Sequence, residues 1–222
     1  MNTPTAILFD LDGVLLDTEP LLAQAWKESA NHFGIRITEA QLKELKGQRR
    51  IDCANKIIEL VSFNIDIELF IKFHKSKVIN LIRYAKPIEN ANELINYCLR
   101  RDIPIALVTS SSKESFELKK QYHPWISSFN TKILGDSVKI KKGKPHPDPY
   151  LAAANELGAD ICSCWAIEDS IAGATSAIRA GCKLWLLNQD QELIDELSKK
   201  TNYTNFKVIA NLINIIEILE KK

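Results

Sequence analysis

From residue 88 onward, short apolar runs alternate with segments of helical periodicity, and this alternation limits the possible folds more than any other feature of the sequence. With an earlier run that opens the chain, the strand-like runs lie at 5–9, 103–110, 131–134, 162–169, 182–187 and 206–210. The helix-like segments lie at 112–121, 147–157, 170–180, 190–199 and 211–221. Alternation of this kind is typical of a parallel sheet with helices on both faces. We therefore predict an α/β fold with a doubly wound parallel sheet.

Residues 18–85 interrupt this pattern, because they contain no clear strand and several helical periods. The clearest helical period, over 66–82, places one stripe of residues on the same face: Ile67, Phe70, Ile71, His74, Val78, Leu81 and Ile82. The segment is far longer than a crossover connection needs. We therefore predict an all-helical domain, residues 18–85, inserted into a core formed by residues 1–17 and 86–222. We interpret His74 as a packed or half-exposed helix residue, because a lone histidine lacks partner ligands.

Composition and charge indicate an ordinary folded protein. The chain has 222 residues, a formal net charge of +1, 45% hydrophobic residues and 26% charged residues. Because basic residues are not in excess, the charge balance gives no support for nucleic acid as a partner. An odd number of cysteines, five, argues against a closed disulfide framework and favours a reducing compartment. With neither a signal-peptide pattern nor an apolar run that could span a bilayer, we expect a cytoplasmic monomer that does not bind a membrane.

Two carboxylates follow the predicted strand at 5–9. Extended geometry sends alternate side chains the same way, so Asp10 and Asp12 share one side while Leu11 faces the other. Like charges so close together are costly unless a cation neutralises them, a proton is shared, or the charges have chemistry to do. The alternative is that both residues only begin a turn around Gly13.

Hydroxyl side chains end the predicted strand 103–110. A hydroxyl and exposed backbone N–H groups at a strand-to-helix junction suit a bound phosphate. On the sequence alone, Thr109, Ser110 and their neighbours are equally compatible with a cap for the helix at 112–121.

A lysine and a second pair of acids follow further along the chain. Prolines at 145, 147 and 149 stiffen the loop that carries Lys144. A fixed ammonium there can neutralise a nucleophile and a transferring phosphoryl group, although most single lysines are only surface residues. Glu168 and Asp169 end the predicted strand 162–169. Acids at a helix start can simply favour the helix dipole, but Mg²⁺ also prefers carboxylate oxygens.

Taken in order, these segments resemble the four motifs of the haloacid dehalogenase superfamily. The matching residues are DLDGVLLDT at 10–18, the strand end at Thr109, GKPHPDPY at 143–150 and WAIED at 165–169. The resemblance spans nearly the whole chain and implies a phosphoryl-transfer enzyme with an inserted helical cap. It implies that Asp10 attacks phosphorus to form an aspartyl-phosphate and that Asp12 is the general acid and base.

The resemblance also implies roles for the remaining motif residues. Thr109 and Lys144 join the catalytic residues, Ser110 contributes a backbone N–H to the substrate, and Asp17 and Thr18 have an orienting role. The implied cofactor is Mg²⁺, and its ligands are the side chains of Asp10 and Asp169, the backbone carbonyl of Asp12, and Glu168 acting through water.

The inserted segment resembles the helical cap of the subfamily that holds β-phosphoglucomutase and several sugar-phosphate phosphatases. LKGQRR at 45–50 is similar to a cap loop with a basic residue that reaches the substrate, which makes Arg49 or Arg50 a specificity residue. β-Phosphoglucomutases carry a histidine early in the first cap helix, where this chain has Leu22. The sequence therefore favours a Mg²⁺-dependent phosphatase acting on small phosphorylated metabolites such as sugar phosphates. A β-phosphoglucomutase-type transferase and a non-catalytic phosphate-binding regulatory protein are the alternatives.

Overall fold

A computed structural model describes residues 3–201 and 206–221. Six strands form one parallel sheet: β1 (Ile7–Phe9), β4 (Ile105–Val108), β5 (Thr131–Ile133), β6 (Trp165–Glu168), β7 (Lys183–Leu187) and β8 (Lys207–Ile209). Their spatial order is β5-β4-β1-β6-β7-β8, with β1 between β4 and β6. The predicted α/β class with a parallel sheet is confirmed.

Both faces of the sheet are buried, and alternate residues of each strand point into different apolar clusters. In β1, Ile7 and Phe9 join one cluster, while Leu8 packs in the other. The first face is covered mainly by α5 (Ala91–Arg100), α6 (Lys113–Tyr122) and α10 (Ile213–Glu220). The second face is covered by α7 (Asp148–Leu157), α8 (Ile171–Ala180) and α9 (Gln191–Thr201). Helices on both faces explain why the core strands are apolar throughout.

Four helices lie between β1 and α5: α1 (Glu19–His32), α2 (Glu39–Leu45), α3 (Arg50–Ile58) and α4 (Ile67–Leu81). They share an apolar cluster of their own, built on large side chains that include Trp26, Ile35, Leu45, Ile57 and Phe70. We refer to residues 18–85 as the helical insertion. Its bounds as a separate domain remain a prediction.

Two short strands flank the helical insertion, and the sequence analysis missed both. β2 (Leu16–Asp17) pairs antiparallel with β3 (Lys86–Pro87), so the two connections to the core lie side by side. Two residues are too few to show the period of a strand. A smaller correction concerns 162–169, where Ile161–Ser163 form a turn of 3₁₀-helix and the strand begins only at Trp165.

Two further expectations concern the cysteines and membrane-spanning segments. All five cysteines lie among the described residues, and all are free thiols. Within 3–201 and 206–221, no helix is long and apolar enough to cross a bilayer.

Candidate active site

The acids identified in the sequence meet at the carboxyl end of the sheet. Asp10 follows β1, Glu168 is the last residue of the neighbouring strand β6, and Asp169 follows it. One oxygen from each carboxylate lies within 4.8 Å of the others, and all three residues are buried. Because parallel strands expose their carboxyl ends at one edge, adjacent strands suffice to bring these residues together.

Lys144 lies within this acidic cluster, with its side chain fully enclosed. Its Nζ donates to Asp10 Oδ1 at 2.8 Å, to Glu168 Oε1 at 2.6 Å and to the Val108 carbonyl at 2.9 Å. Burial alone would lower the pKa of Lys144, but Asp10 and Glu168 outweigh it and raise the pKa above its ordinary value. Tyr150 Oη donates to the same Glu168 oxygen at 2.5 Å. Glu168 therefore orients Lys144 toward Asp10, in addition to its predicted place near the metal.

Burial outweighs the lysine partners of Asp10 and Asp169 and raises the pKa of both carboxyl groups. Burial raises the pKa of Asp10 to about 7, with Lys144 opposing the shift and Glu168 and Asp12 adding to it. Burial likewise raises the pKa of Asp169 to about 6. Asp169 Oδ1 is buried and has no hydrogen-bond partner among the residues the structure describes. A bound divalent cation would compensate both groups.

The backbone at Gly13 keeps this cation position open. Gly13 has a φ of +83°, and a Cβ there would lie 1.8 Å from Asp169 Oδ2. Any side chain would therefore displace the carboxylate. Hard oxygen donors and a space that only glycine preserves fit Mg²⁺, whose expected ligands are Asp10, Asp169 and the Asp12 carbonyl.

Asp12 has its own set of partners, and the most important one was missed in the sequence. Lys119 Nζ lies 2.5 Å and 2.7 Å from the two Asp12 oxygens, and its side chain is fully buried. Ser111 Oγ donates to Asp12 Oδ2 at 2.8 Å, and Thr18 Oγ1 donates to Oδ1. Burial would raise the pKa of Asp12, but Lys119 and these hydroxyls outweigh it and lower the pKa. The only sequence signal for Lys119 is its helical spacing from the buried Phe116 on α6.

An orienting role was predicted for both Asp17 and Thr18, and the contacts of Asp12 distinguish the two residues. Thr18 contacts Asp12, as an orienting residue should, whereas Asp17 in β2 is exposed to solvent.

The hydroxyl side chains that follow β4 have different roles. Ser112 caps α6 by accepting from Ser115 N at 3.3 Å, so the capping interpretation applies to Ser112. Thr109 is buried and lines the same cleft as Asp10.

The loop between α2 and α3 brings the helical insertion onto this site. Lys46 Nζ forms a 2.5 Å ion pair with Asp169 Oδ2. Ser110 Oγ donates to the Gly47 carbonyl at 2.7 Å, and a Cβ on Gly47 would approach Ser170 Oγ to 2.2 Å. The loop was singled out in the sequence, but Lys46 within it was not, because nothing in its sequence neighbourhood distinguishes it from an exposed lysine.

The two arginines of this loop have different surroundings. Arg49 forks onto Asp52, with 2.7 Å from Nε to Oδ2 and 3.1 Å from Nη2 to Oδ1, and packs against Gly143. Arg50 lines a cleft that is partly open to solvent and that Asp10 also lines. Burial lowers the pKa of Arg50. Of the two candidates, the structure brings Arg50 to the cleft.

The wall of the cleft contributed by α1 and α4 contains polar residues that sequence reasoning missed. His74 is buried and stacks on Trp26, with ring centroids 3.5 Å apart and planes 15° apart, and both residues line the cleft. It is packed, as expected, but it also borders the site. Glu19 lines the cleft too, and burial together with Asp169 raises its pKa well above the usual range.

Comparison with known proteins identifies the family. Residues 7–187 match the haloacid dehalogenase-like hydrolase family, and the chain belongs to it. The chain is therefore a hydrolase of this family.

Individual relatives match this chain over most of its length. A protein named as a probable pseudouridine-5'-phosphatase from Drosophila melanogaster is 30% identical over 94% of this chain and 90% of its own length. A bifunctional riboflavin kinase/FMN phosphatase from Arabidopsis thaliana is 28% identical over 95% of this chain, which spans only 54% of that relative. The crystal structure of a β-phosphoglucomutase from Clostridium difficile superposes with a TM-score of 0.82, covering 99% of this chain and 96% of that one. At 24% identity, that likeness shows the fold alone.

Proposed function

We propose that this chain is a Mg²⁺-dependent phosphatase that hydrolyses small phosphorylated metabolites, sugar phosphates among them, through an aspartyl-phosphate on Asp10. The observation that carries the proposal is the buried contact of Lys144 with both Asp10 and Glu168, beside Asp169, where Asp10 also lines an accessible cleft. Relatives named as phosphatases support it. We also propose that the protein is monomeric and cytoplasmic.

The arrangement around Asp10 suits nucleophilic attack. Among the described residues, hydrogen bonds reach only Oδ1 of Asp10, where Lys144 donates, so Oδ2 is free to attack phosphorus. Lys144 neutralises negative charge on the nucleophile and on the transferred group. Thr109 and Ser110, which follow β4, lie where they can donate hydrogen bonds to the phosphate oxygens.

Asp12 is placed to move the two protons of the reaction. Paired with Lys119, its carboxylate is the form that accepts a proton from the water attacking the aspartyl-phosphate. To protonate the leaving alcohol in the first step it must carry a proton. A dianionic phosphate monoester entering beside Asp12 favours that protonation by raising its pKa.

Asp10, Asp169 and the Asp12 carbonyl are the groups that would hold Mg²⁺, with Glu168 behind them. The ion supplies charge neutralisation for the phosphoryl oxygens and for the crowded carboxylates. Leu22 lines the cleft at the position where β-phosphoglucomutase-like sequences have histidine, which supports hydrolysis over mutase chemistry.

The test is Asp10→Asn assayed on a panel of phosphate monoesters with and without Mg²⁺. We expect activity that requires the metal and that falls more than roughly a hundredfold in the variant, since residues acting as a unit usually contribute several powers of ten. Mass spectrometry of acid-quenched enzyme should find the phosphoryl group on Asp10. The exposed Asp17→Asn, in the same motif, is the matched control.

If Asp10→Asn kept more than about a hundredth of the activity, the covalent mechanism would be wrong. Full activity in the presence of a chelator would contradict the metal requirement.

A further inference from the structure

His74 lines the cleft, and burying its ring nitrogens has a cost in folding free energy that its packing does not explain. It is only 2% exposed, and neither ring nitrogen has a hydrogen-bond partner among the described residues. An unsatisfied buried polar group costs about 1–3 kcal/mol. The stack on Trp26 explains why an aromatic ring is present at this position, but a phenylalanine would provide the same stack. The two nitrogens therefore require a separate explanation.

Arg50, the first residue of α3, lines the same cleft, and its side chain has no hydrogen-bond or ion-pair partner among the described residues. Its neighbour Arg49, in contrast, donates two hydrogen bonds to the Asp52 carboxylate. A guanidinium stays charged and offers only donors.

We propose that His74 and Arg50 bind hydroxyl groups of a polyhydroxylated phosphate monoester, at the end of the substrate remote from the phosphate. This inference rests on the proposed function and specifies its substrate class. Asp10, Arg50 and His74 line the same cleft, so a substrate with its phosphate on Asp10 can present its remaining groups to the other two residues.

The hydrogen-bonding capacities of the two side chains favour hydroxyls. Burial, and then Arg50, lower the pKa of His74 to about 2, so the imidazole is neutral and offers one donor and one acceptor. A carboxylate or a phosphate dianion would accept from Arg50 but has no proton for the acceptor nitrogen of His74. Hydroxyl groups donate and accept, so a polyol chain satisfies both residues.

The experiment compares two substrates with the same length of carbon chain: glucitol 6-phosphate, which carries hydroxyls, and hexyl phosphate, which carries none. We measure kcat/KM for both with Mg²⁺ in wild type, His74→Phe and Arg50→Met. Wild type should prefer the hexitol phosphate. Each variant should reduce that preference roughly tenfold or more, mainly through KM, on the scale of one lost buried hydrogen bond.

Three further variants make the test selective. His74→Gln retains a group that donates and accepts, so it should recover part of the preference that His74→Phe loses. His32→Phe is the matched control, because His32 stacks on Phe73 with centroids 3.9 Å apart but is exposed and outside the cleft. Arg49→Met, outside the cleft, controls for Arg50→Met. Both controls should leave the preference unchanged.

An unchanged preference in both His74→Phe and Arg50→Met would overturn this inference while leaving the phosphatase proposal intact. Hydrolysis of neither substrate by wild type would overturn the phosphatase proposal and the inference with it. If His74→Phe failed to fold, the ratios for His74→Gln and Arg50→Met would decide.

Discussion

Lys46, in the loop between α2 and α3, forms a 2.5 Å ion pair with Asp169, the acid that follows β6. The pair joins the helical insertion to a carboxylate that we propose as a Mg²⁺ ligand. Burial would lower the pKa of Lys46, but Asp169 and Glu19 outweigh it and raise the pKa. Lys46 is therefore firmly protonated, and we expect it to compete with a metal ion for the Asp169 carboxylate.

Removing this competitor should strengthen metal binding. For Lys46→Met we expect the Kd for Mg²⁺, measured by titration calorimetry without substrate, to fall by about tenfold, the equivalent of about 1.4 kcal/mol. The variant should also be less stable without metal, because Asp169 loses its partner. Lys43→Met is the control, since Lys43 only pairs with Asp190 at the surface, at 3.7 Å. Unchanged or weaker Mg²⁺ binding in Lys46→Met would contradict the competition.

Lys119 should be needed for proton transfer although it does not reach Asp10. In Lys119→Met the Asp12 carboxyl stays buried without its lysine partner, so its pKa rises and a smaller fraction is in the deprotonated form that acts as the base. We expect kcat to fall by about 10²-fold or more, within the range of general acid–base catalysis. Esters of alcohols that leave readily need less protonation, so their phosphorylation step, followed by rapid quench, should be less affected.

The neighbouring lysine provides the matched control for this prediction. Lys120 is partly exposed and pairs with Glu117 one turn away on α6, so Lys120→Met should keep kcat within about twofold. Thermal unfolding of both variants separates loss of fold from loss of rate. A folded Lys119→Met with wild-type kcat on an ester of a poor leaving alcohol would show that Asp12 does not depend on this lysine.

The sequence was sufficient to place Asp10, Lys144 and Asp169 together because parallel strand ends share one edge and a proline-rich loop has few conformations. It was not sufficient for Lys119 or His74. Both lie on helices, and how a helix rotates and docks against a distant residue is decided by tertiary packing, which local periodicity does not record.

Arg49 and Arg50 illustrate the same limit. Arg49 is the extended N-cap residue of α3 and Arg50 is its first helical residue, so the backbone changes direction between them; Arg50 reaches the cleft and Arg49 contacts Asp52. Which of them does so depends on how α3 packs on the rest of the insertion, and no feature of LKGQRR decides it.

If His74 serves substrate binding, its buried imidazole should lower the free energy of unfolding of the wild-type protein. This loss of stability should increase as the pH falls. In His74→Phe the unpartnered nitrogens disappear and the ring stack on Trp26 remains. We expect a free energy of unfolding higher than wild type by about 1 kcal/mol at pH 7.5, measured by urea denaturation with a chelator present.

The sign of the pH dependence follows from the pKa of His74, which is lowered to about 2 from an ordinary value of 6.5. Between these values the unfolded chain binds a proton that the folded chain does not, so wild-type stability falls as pH falls below about 6.5. The variant lacks this contribution. Its advantage should therefore widen by about 1.4 kcal/mol for each pH unit below that point, and should be constant above pH 7. The same measurements on His32→Phe correct for the loss of a histidine from an exposed position. Equal differences at pH 7.5 and pH 5.5 would show that His74 takes up a proton in the folded protein, which would remove the neutral imidazole on which the hydroxyl subsite depends.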